Sequence, residues 1–289
     1  MAVLYWLVKG ISAFTNAWPL GIRMGMGRLI GRLCLRLIPG WRKRMALENI
    51  GRSLNLDERA AEKVYEESTI RFGPMFLEML ELPGLKREVV DERLTFEGEE
   101  HLQAALQAGQ GCVLATAHSG NWELLGAALA LHGFPLVAVV QKQTNGDMDR
   151  FINEYRTRAG MHVTYKTGVR DMVRLLGEGK IIGLLMDQDS GRIENPVTFF
   201  GRVVPAPPGA AALARMKKTP IVPAFIVDKG NGCHHVIIHP PLMPQWSEER
   251  ETDIQRVTQE LTQIIETHIR AYPQDWFWLH NRWKHEIMQ

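Results

Sequence analysis

His118-Ser-Gly-Asn-Trp-Glu123 places an imidazole and a carboxylate five residues apart. The motif follows directly on Gly111-Cys-Val-Leu-Ala-Thr-Ala117, an apolar run that reads as a buried strand. Asn121 to His132 then carries helical apolar spacing and ends at Gly133, a helix-stopping residue. His118 is therefore expected on a strand-to-helix turn, with Ser119 or Asn121 capping the helix and Glu123 in its first turn. From there Glu123 is expected to reach back to the ring. An imidazole held by a carboxylate is what a general base needs to deprotonate an alcohol. The carboxylate fixes the tautomer and stabilises the imidazolium that forms. The spacing by itself is unspecific, because a histidine near a glutamate is more often structural.

Other groups able to do chemistry lie further along. Asp187-Gln188-Asp189 follows the apolar run Ile181–Met186, so its side chains emerge at a strand end where a ligand can meet them. The helical segment from Asp149 to Gly160 offers Arg150, Arg156 and Arg158 as donors to a developing oxyanion. A solvated amphipathic face is the alternative reading of those arginines. Phe199 and Phe200 suit either an acyl tunnel or a core. Trp276, Trp278 and Trp283 alternate with Arg282, Lys284 and His285, a pattern that fits a membrane interface or a clamp on the chain terminus.

Taken in order, these blocks resemble a known family. His118-Ser-Gly-Asn-Trp-Glu123 resembles the HX4(D/E) signature of glycerolipid-type acyltransferases, and more closely that of the bacterial lipid A biosynthesis acyltransferases, the late lauroyl and myristoyl transferases. Asp187-Gln188-Asp189, Phe199-Phe200-Gly201-Arg202, Gly209 through Leu213-Ala214-Arg215, and Pro273 through Trp276, Trp278, Arg282, Trp283 and Lys284 are similar to further blocks of that family. The resemblance implies transfer of a fatty acyl chain from acyl-carrier protein, or acyl-CoA, to a hydroxyl of a lipid A precursor of the Kdo2-lipid IVA type. No metal or organic cofactor is implied. His118 and Glu123 would be the catalytic dyad. Arg156 matches the family's Arg-x-x-x-Gly position and would contact the oxyanion or substrate, with Arg158 next and Arg150 last. Asp187, Gln188 and Asn121 would belong to the substrate-binding shell, and Phe199, Phe200 and Trp122 to the acyl pocket. Such proteins are expected at the bacterial inner membrane, facing the cytoplasm.

The elements that must position these groups read as an α/β domain. Strand candidates at 112–117, 136–141, 162–165, 181–186, 221–227 and 234–239 alternate with helical patterns at 121–132, 147–159, 169–178, 208–217 and 250–271. That alternation argues for a mainly parallel central sheet flanked by helices, with reactive groups at the carboxyl ends of strands; the resemblance implies that this fold is glycerolipid-acyltransferase-like. Residues 46–289 are assigned to the catalytic domain and 1–45 to an amino-terminal membrane-anchoring helical region. An Asn-Leu-Asp cap near Asp57 opens an amphipathic run that ends near Leu82-Pro83-Gly84.

Overall charge is nearly balanced, at +2, but its distribution is not. No Asp or Glu precedes Glu48, while Arg28, Arg32 and Arg36 recur along one helical face. This points to an anionic membrane surface rather than nucleic acid, each basic residue adding about 1 kcal/mol near the surface. Met1 to Ile22 is apolar apart from Lys9 and is interrupted by Pro19, so a single span and an interfacial helix are both open. Cys34, Cys112 and Cys233 are scattered and suggest no disulfide framework. Gly25-Met-Gly27 with Gly31 has the wrong spacing for a dinucleotide loop, and Cys233-His234-His235 on a strand would point to opposite faces. Two other functions stay open: an acyltransferase of another lipid (a lysophospholipid, aminolipid or glycosylated phosphoinositide), and an inactive lipid-binding protein.

Overall fold

The computed structural model describes residues 3–107, 109–191 and 195–287. Its first helices are delimited by prolines. Pro19 and Pro39 lack an N–H and so stand just ahead of a helix rather than within one. They separate α1 (Val3–Asn16), α2 (Leu20–Leu37) and α3 (Gly40–Leu54). α3 stops at Asn55, which adopts the left-handed conformation at φ 54°. Asp57 then caps α4 (Glu58–Met79) by accepting the Ala60 N–H at 2.8 Å, as the Asn-Leu-Asp sequence predicts. No helix among the described residues is long and apolar enough to cross a membrane. Pro19 divides the apolar stretch of the sequence between α1 and α2.

α2 and α4 cross almost backbone to backbone. A Cβ at Gly27 would lie 2.6 Å from Pro74 Cα, and one at Gly31 would overlap Ile70. Gly27 and Gly31, two of the three glycines that loosely imitate a dinucleotide loop, are thus helix-packing residues.

The central sheet holds β1 (Leu94–Glu97), β2 (Cys112–Thr116), β3 (Leu136–Val140), β4 (His162–Tyr165) and β5 (Ile181–Leu185). β6 (Pro196–Phe199) and β7 (Arg202–Pro205) form a separate hairpin, and β8 (Ile221–Gly230) and β9 (Cys233–Ile238) complete the main sheet. Its order is β1-β9-β8-β2-β5-β3-β4, parallel throughout except where β8 meets β9. Helices α5 (Arg87–Arg93), α6 (Glu99–Gln107), α7 (Trp122–Leu131), α8 (Gly146–Arg158), α9 (Val169–Gly177), α10 (Gly209–Lys217) and α11 (Arg250–Ala271) cover it. Both faces of β2 are therefore buried, which is why its sequence is apolar without alternation. Val113, Ala115 and Ala117 join one core with α9, α10 and α11, whereas Cys112 and Leu114 join the other with α6 and α7. Burial pushes the Cys112 thiol up to about 12, so it acts as a small apolar residue.

Candidate active site

β2 and β5 are neighbours in register, with Thr116 opposite Leu185. The Met186 N–H donates to the Thr116 carbonyl at 2.9 Å, which carries the pairing past the strand ends. His118 and Asp187 each lie two residues beyond a paired position, so they come out side by side at the carboxyl edge. The imidazole Nδ1 is 2.8 Å from Asp187 Oδ1. Asp187 Oδ2 accepts the His118 backbone N–H at 3.0 Å and the Trp276 indole N–H at 2.7 Å. Burial works against the Asp187 charge, but His118 and these donors outweigh it and hold the carboxyl below its usual range. An ionised Asp187 keeps the proton on Nδ1 and leaves Nε2 as the basic nitrogen. That nitrogen makes no hydrogen bond among the described residues, and the His118 side chain retains 18% exposure.

The carboxyl-terminal segment clamps this turn. Phe277 N–H donates to the His118 carbonyl at 3.0 Å, and Gly120 N–H to the Asp275 carbonyl at 2.8 Å. Ser119 Oγ lies 3.1 Å from His268 Nε2, and burial drives that imidazole down to about 3, so it is neutral. Gly120 sits at φ 59°, and a Cβ there would collide with the Ile226 carbonyl. Arg282, 1% exposed, lies behind the site in the field of Asp187 and Asp189. Desolvation lowers its guanidinium to about 10, which leaves it charged at neutral pH. Trp276 and Trp278 are buried, as the clamp reading of the terminal tryptophans expects, and Trp276 also supports Asp187.

Glu123 does not take the place expected for it. Both its oxygens are engaged by the Arg156 fork, at 2.8 Å to Nε and 2.5 Å to Nη2. The strand register supplies the imidazole with Asp187, and Glu123, one position into α7, faces α8 instead. Glu123 and Arg156 form the polar end of a narrow cleft of about 60 Å³ between the sheet and α7, with Trp122, Leu136, Val139 and Met161 among its apolar walls. Trp122 links the cleft to His118, its ring 4.9 Å from the imidazole.

The other candidates separate. Arg158 pairs with Glu154 at 2.8 Å on the exposed side of α8. Two residues along a helix is a rotation of about 200°, which turns it away from Arg156. Arg150 stacks on Tyr5 of α1. Asn121 is buried and spends its side chain capping α7, at 3.0 Å to Leu124 N–H, and donating to Glu78 at 2.9 Å. Gln188 is half-buried in the loop after β5. Phe199 and Phe200 pack with Trp276, Trp278 and Trp283 in the core rather than in the cleft, because the β6–β7 hairpin folds back onto α11. Cys233-His234-His235 is a structural strand: His234 bonds Glu78 at 2.7 Å and His235 bonds Glu97 at 3.2 Å.

The family model described as bacterial lipid A biosynthesis acyltransferase matches residues 1–285. The chain belongs to this family. As a member of the lipid A acyltransferase family it is an enzyme that transfers acyl groups to a lipid. Among its relatives, the phosphatidylinositol mannoside acyltransferase of Mycolicibacterium smegmatis is 29% identical over 75% of this chain and 71% of its own length. The lipid A biosynthesis acyltransferase of Haemophilus influenzae is 23% identical over 77% of this chain and 69% of its own. The crystal structure of the 1-acyl-sn-glycerophosphate acyltransferase PlsC of Thermotoga maritima aligns with a TM-score of 0.39 and 15% identity, over 84% of this chain and 98% of that one.

Proposed function

We propose that this acyltransferase moves a fatty acyl chain from an acyl-carrier protein thioester to a hydroxyl of a lipid A precursor of the Kdo2-lipid IVA type, with His118 as general base. The observation that carries the reading is the 2.8 Å contact between His118 Nδ1 and buried Asp187, which commits the free Nε2 to accept a proton. Nε2 takes the acceptor's hydroxyl proton as that oxygen bonds to the thioester carbonyl carbon. The tetrahedral intermediate then expels the carrier's sulfur, and the imidazolium returns the proton to the thiolate. Base assistance of this kind is worth about 10²–10⁴-fold. Arg156 stabilises the oxyanion, and Glu123 acts through it by holding the guanidinium in place. The acyl chain enters the cleft beside Trp122 by displacing Met161, whose unbranched side chain yields readily.

A mannosylated phosphatidylinositol is the second acceptor reading, favoured by the 29% identity to the M. smegmatis enzyme. The protein is further proposed to work on the cytoplasmic face of the bacterial inner membrane. Exposed Trp6, Leu7, Phe14, Leu29, Leu33 and Leu37 on α1 and α2, with exposed Arg32 and Arg36, support attachment within the interface rather than across it. The test is acyl transfer by membranes containing the protein, with long-chain acyl-carrier protein and either Kdo2-lipid IVA or phosphatidylinositol mannoside, read by mass spectrometry. A gain of one acyl chain that is lost in His118→Ala is expected. Undiminished transfer by that variant would remove His118 from the chemistry.

A further inference from the structure

Behind the His118–Trp122 turn lies a second cavity, of about 150 Å³, walled by α2, α4, the turn itself and the β8–β9 hairpin. A cavity of about that size holds a benzene ring, so it takes one edge of a sugar ring rather than the whole ring with its hydroxyls. Its polar lining includes Glu78, Asn121, Asp228, His234, Asp275 and Arg71. The charges there are already matched. Arg28 makes a two-point contact with Glu67 at 3.1 and 3.2 Å. Arg71 is held by Asp275, by Asp228 at 3.7 Å and by Glu67 at 3.5 Å. Glu78 is held by Arg93 at 3.0 Å and by His234 at 2.7 Å.

A phosphate or carboxylate would have to take a guanidinium from a carboxylate that already neutralises it. Neutral hydroxyls face no such cost. Carboxylate lone pairs, the exposed Asn231 amide and a glycine-rich backbone wall offer them acceptors and donors while every ion pair stays intact.

The cavity also stands where an acceptor lipid needs it. Phe72, one of its walls, packs 4.7 Å from Phe277 and 6.4 Å from Trp122. Trp122 in turn lies against His118, so the rings of Phe72 and Trp122 stand between cavity and base. On the other side, α2 supplies exposed Gly21 and Gly25 to the rim and turns apolar Ile22, Leu29 and Leu33 outward.

We propose that this cavity is a subsite for the uncharged, hydroxyl-rich part of the acceptor's headgroup, a sugar or cyclitol ring remote from the hydroxyl that is acylated. The proposal rests on the acyltransferase reading above and locates where the headgroup of its acceptor is held.

Hydrogen–deuterium exchange of the full chain in phosphocholine-detergent micelles tests it without turnover, since no donor is added. Kdo2-lipid IVA, phosphatidylinositol mannoside and lysophosphatidate serve as separate probes. A glycosylated lipid is expected to slow exchange over residues 228–234, and lysophosphatidate to leave it unchanged. Gly25→Leu fills the cavity from α2, where a Cβ meets nothing within 4 Å. It also removes a helix-interior glycine, so the fold should be held or strengthened. The variant is expected to weaken glycolipid protection by about tenfold in concentration, or 1.4 kcal/mol, at an unchanged or raised melting temperature. Equal protection in Gly25→Leu, no protection at 228–234, or protection by lysophosphatidate would each overturn the subsite. Acyl transfer and its loss in His118→Ala are scored separately. Transfer that persists while the subsite fails leaves the base assignment standing, and protection without His118-dependent transfer does the reverse.

Discussion

Replacing Asp187 by Asn should cost far more activity than its size suggests, for a reason visible in its hydrogen bonds. Oδ2 receives two donors, the His118 N–H at 3.0 Å and the Trp276 indole N–H at 2.7 Å, while Oδ1 faces the imidazole Nδ1 at 2.8 Å. An asparagine keeps one acceptor oxygen, and the two fixed N–H donors claim it. Its NH2 group is then left facing Nδ1. That nitrogen can pair only as an acceptor, so the ring proton moves to Nε2 and the nitrogen that should take a proton already carries one. The analogous change in a serine protease lowers kcat by about 10⁴-fold, equivalent to about 5.5 kcal/mol of barrier. We expect a loss of that order in kcat for Asp187→Asn, measured by mass-spectrometric acyl transfer at saturating donor and acceptor. The melting temperature should fall little, since the contacts to Trp276 and the His118 N–H are retained. Glu123→Gln, assayed in parallel, should leave the His118 tautomer alone. If Asp187→Asn kept kcat within about tenfold of wild type, at the low end of what base assistance supplies, while Glu123→Gln fell by thousands, the reasoning would be refuted and the base would belong to Glu123.

Other consequences follow from the same contacts. Glu123→Ala and Arg156→Ala should each lower kcat/KM by about 10²–10³-fold, the usual cost of an oxyanion donor. Because the two side chains form one fork, the double variant should be little worse than the poorer single, and multiplying losses in a double-mutant cycle would show independent roles. Gly120→Ala forces a side chain into φ 59° and onto the Ile226 carbonyl. Strain of about 1–3 kcal/mol should lower the melting temperature by several degrees, and an unshifted melt would mean the turn can rearrange. Asp275 is buried, and despite Arg71 its carboxyl is pushed up to about 6. Since this pKa exceeds the unfolded value of about 3.9, the group's contribution to stability is full below pH 4 and lost as pH rises through 6. The melting-temperature advantage of wild type over Asp275→Asn should therefore shrink between pH 4 and 7; growth over that range would contradict the shift. Arg32→Glu with Arg36→Glu removes two surface cations worth about 1 kcal/mol each. Sedimentation with anionic vesicles should then show binding weakened by at least about thirtyfold, and unchanged binding would place the membrane contact elsewhere.

The strands that carry the site were legible, whereas their adjacency was not. The runs 112–117 and 181–186 are apolar enough to read as buried strands, and each is followed at once by a polar residue, His118 or Asp187, where α/β folds collect their reactive groups. Nothing local joins His118 to Asp187 across 69 residues of chain. Sequence proximity instead points to Glu123, and the fold overrules it by inserting β5 between β2 and β3, so that strand register rather than the helix turn chooses the partner. The β6–β7 hairpin escaped for a different reason. Its two-residue turn puts Phe200 at φ 50° and Gly201 at φ 73°, a primed geometry normally announced by Asn-Gly or Asp-Gly. A bulky phenylalanine in that region is held by its surroundings, not by its own preference. Phe200 N–H is anchored to Glu266 of α11 at 2.6 Å, and its ring lies among Phe199, Trp278 and Trp283. The same tertiary contacts that hid the turn also keep the aromatic pair out of the cleft beside Trp122. A local pattern can say which residues are able to react, but only the register of distant strands decides which of them meet.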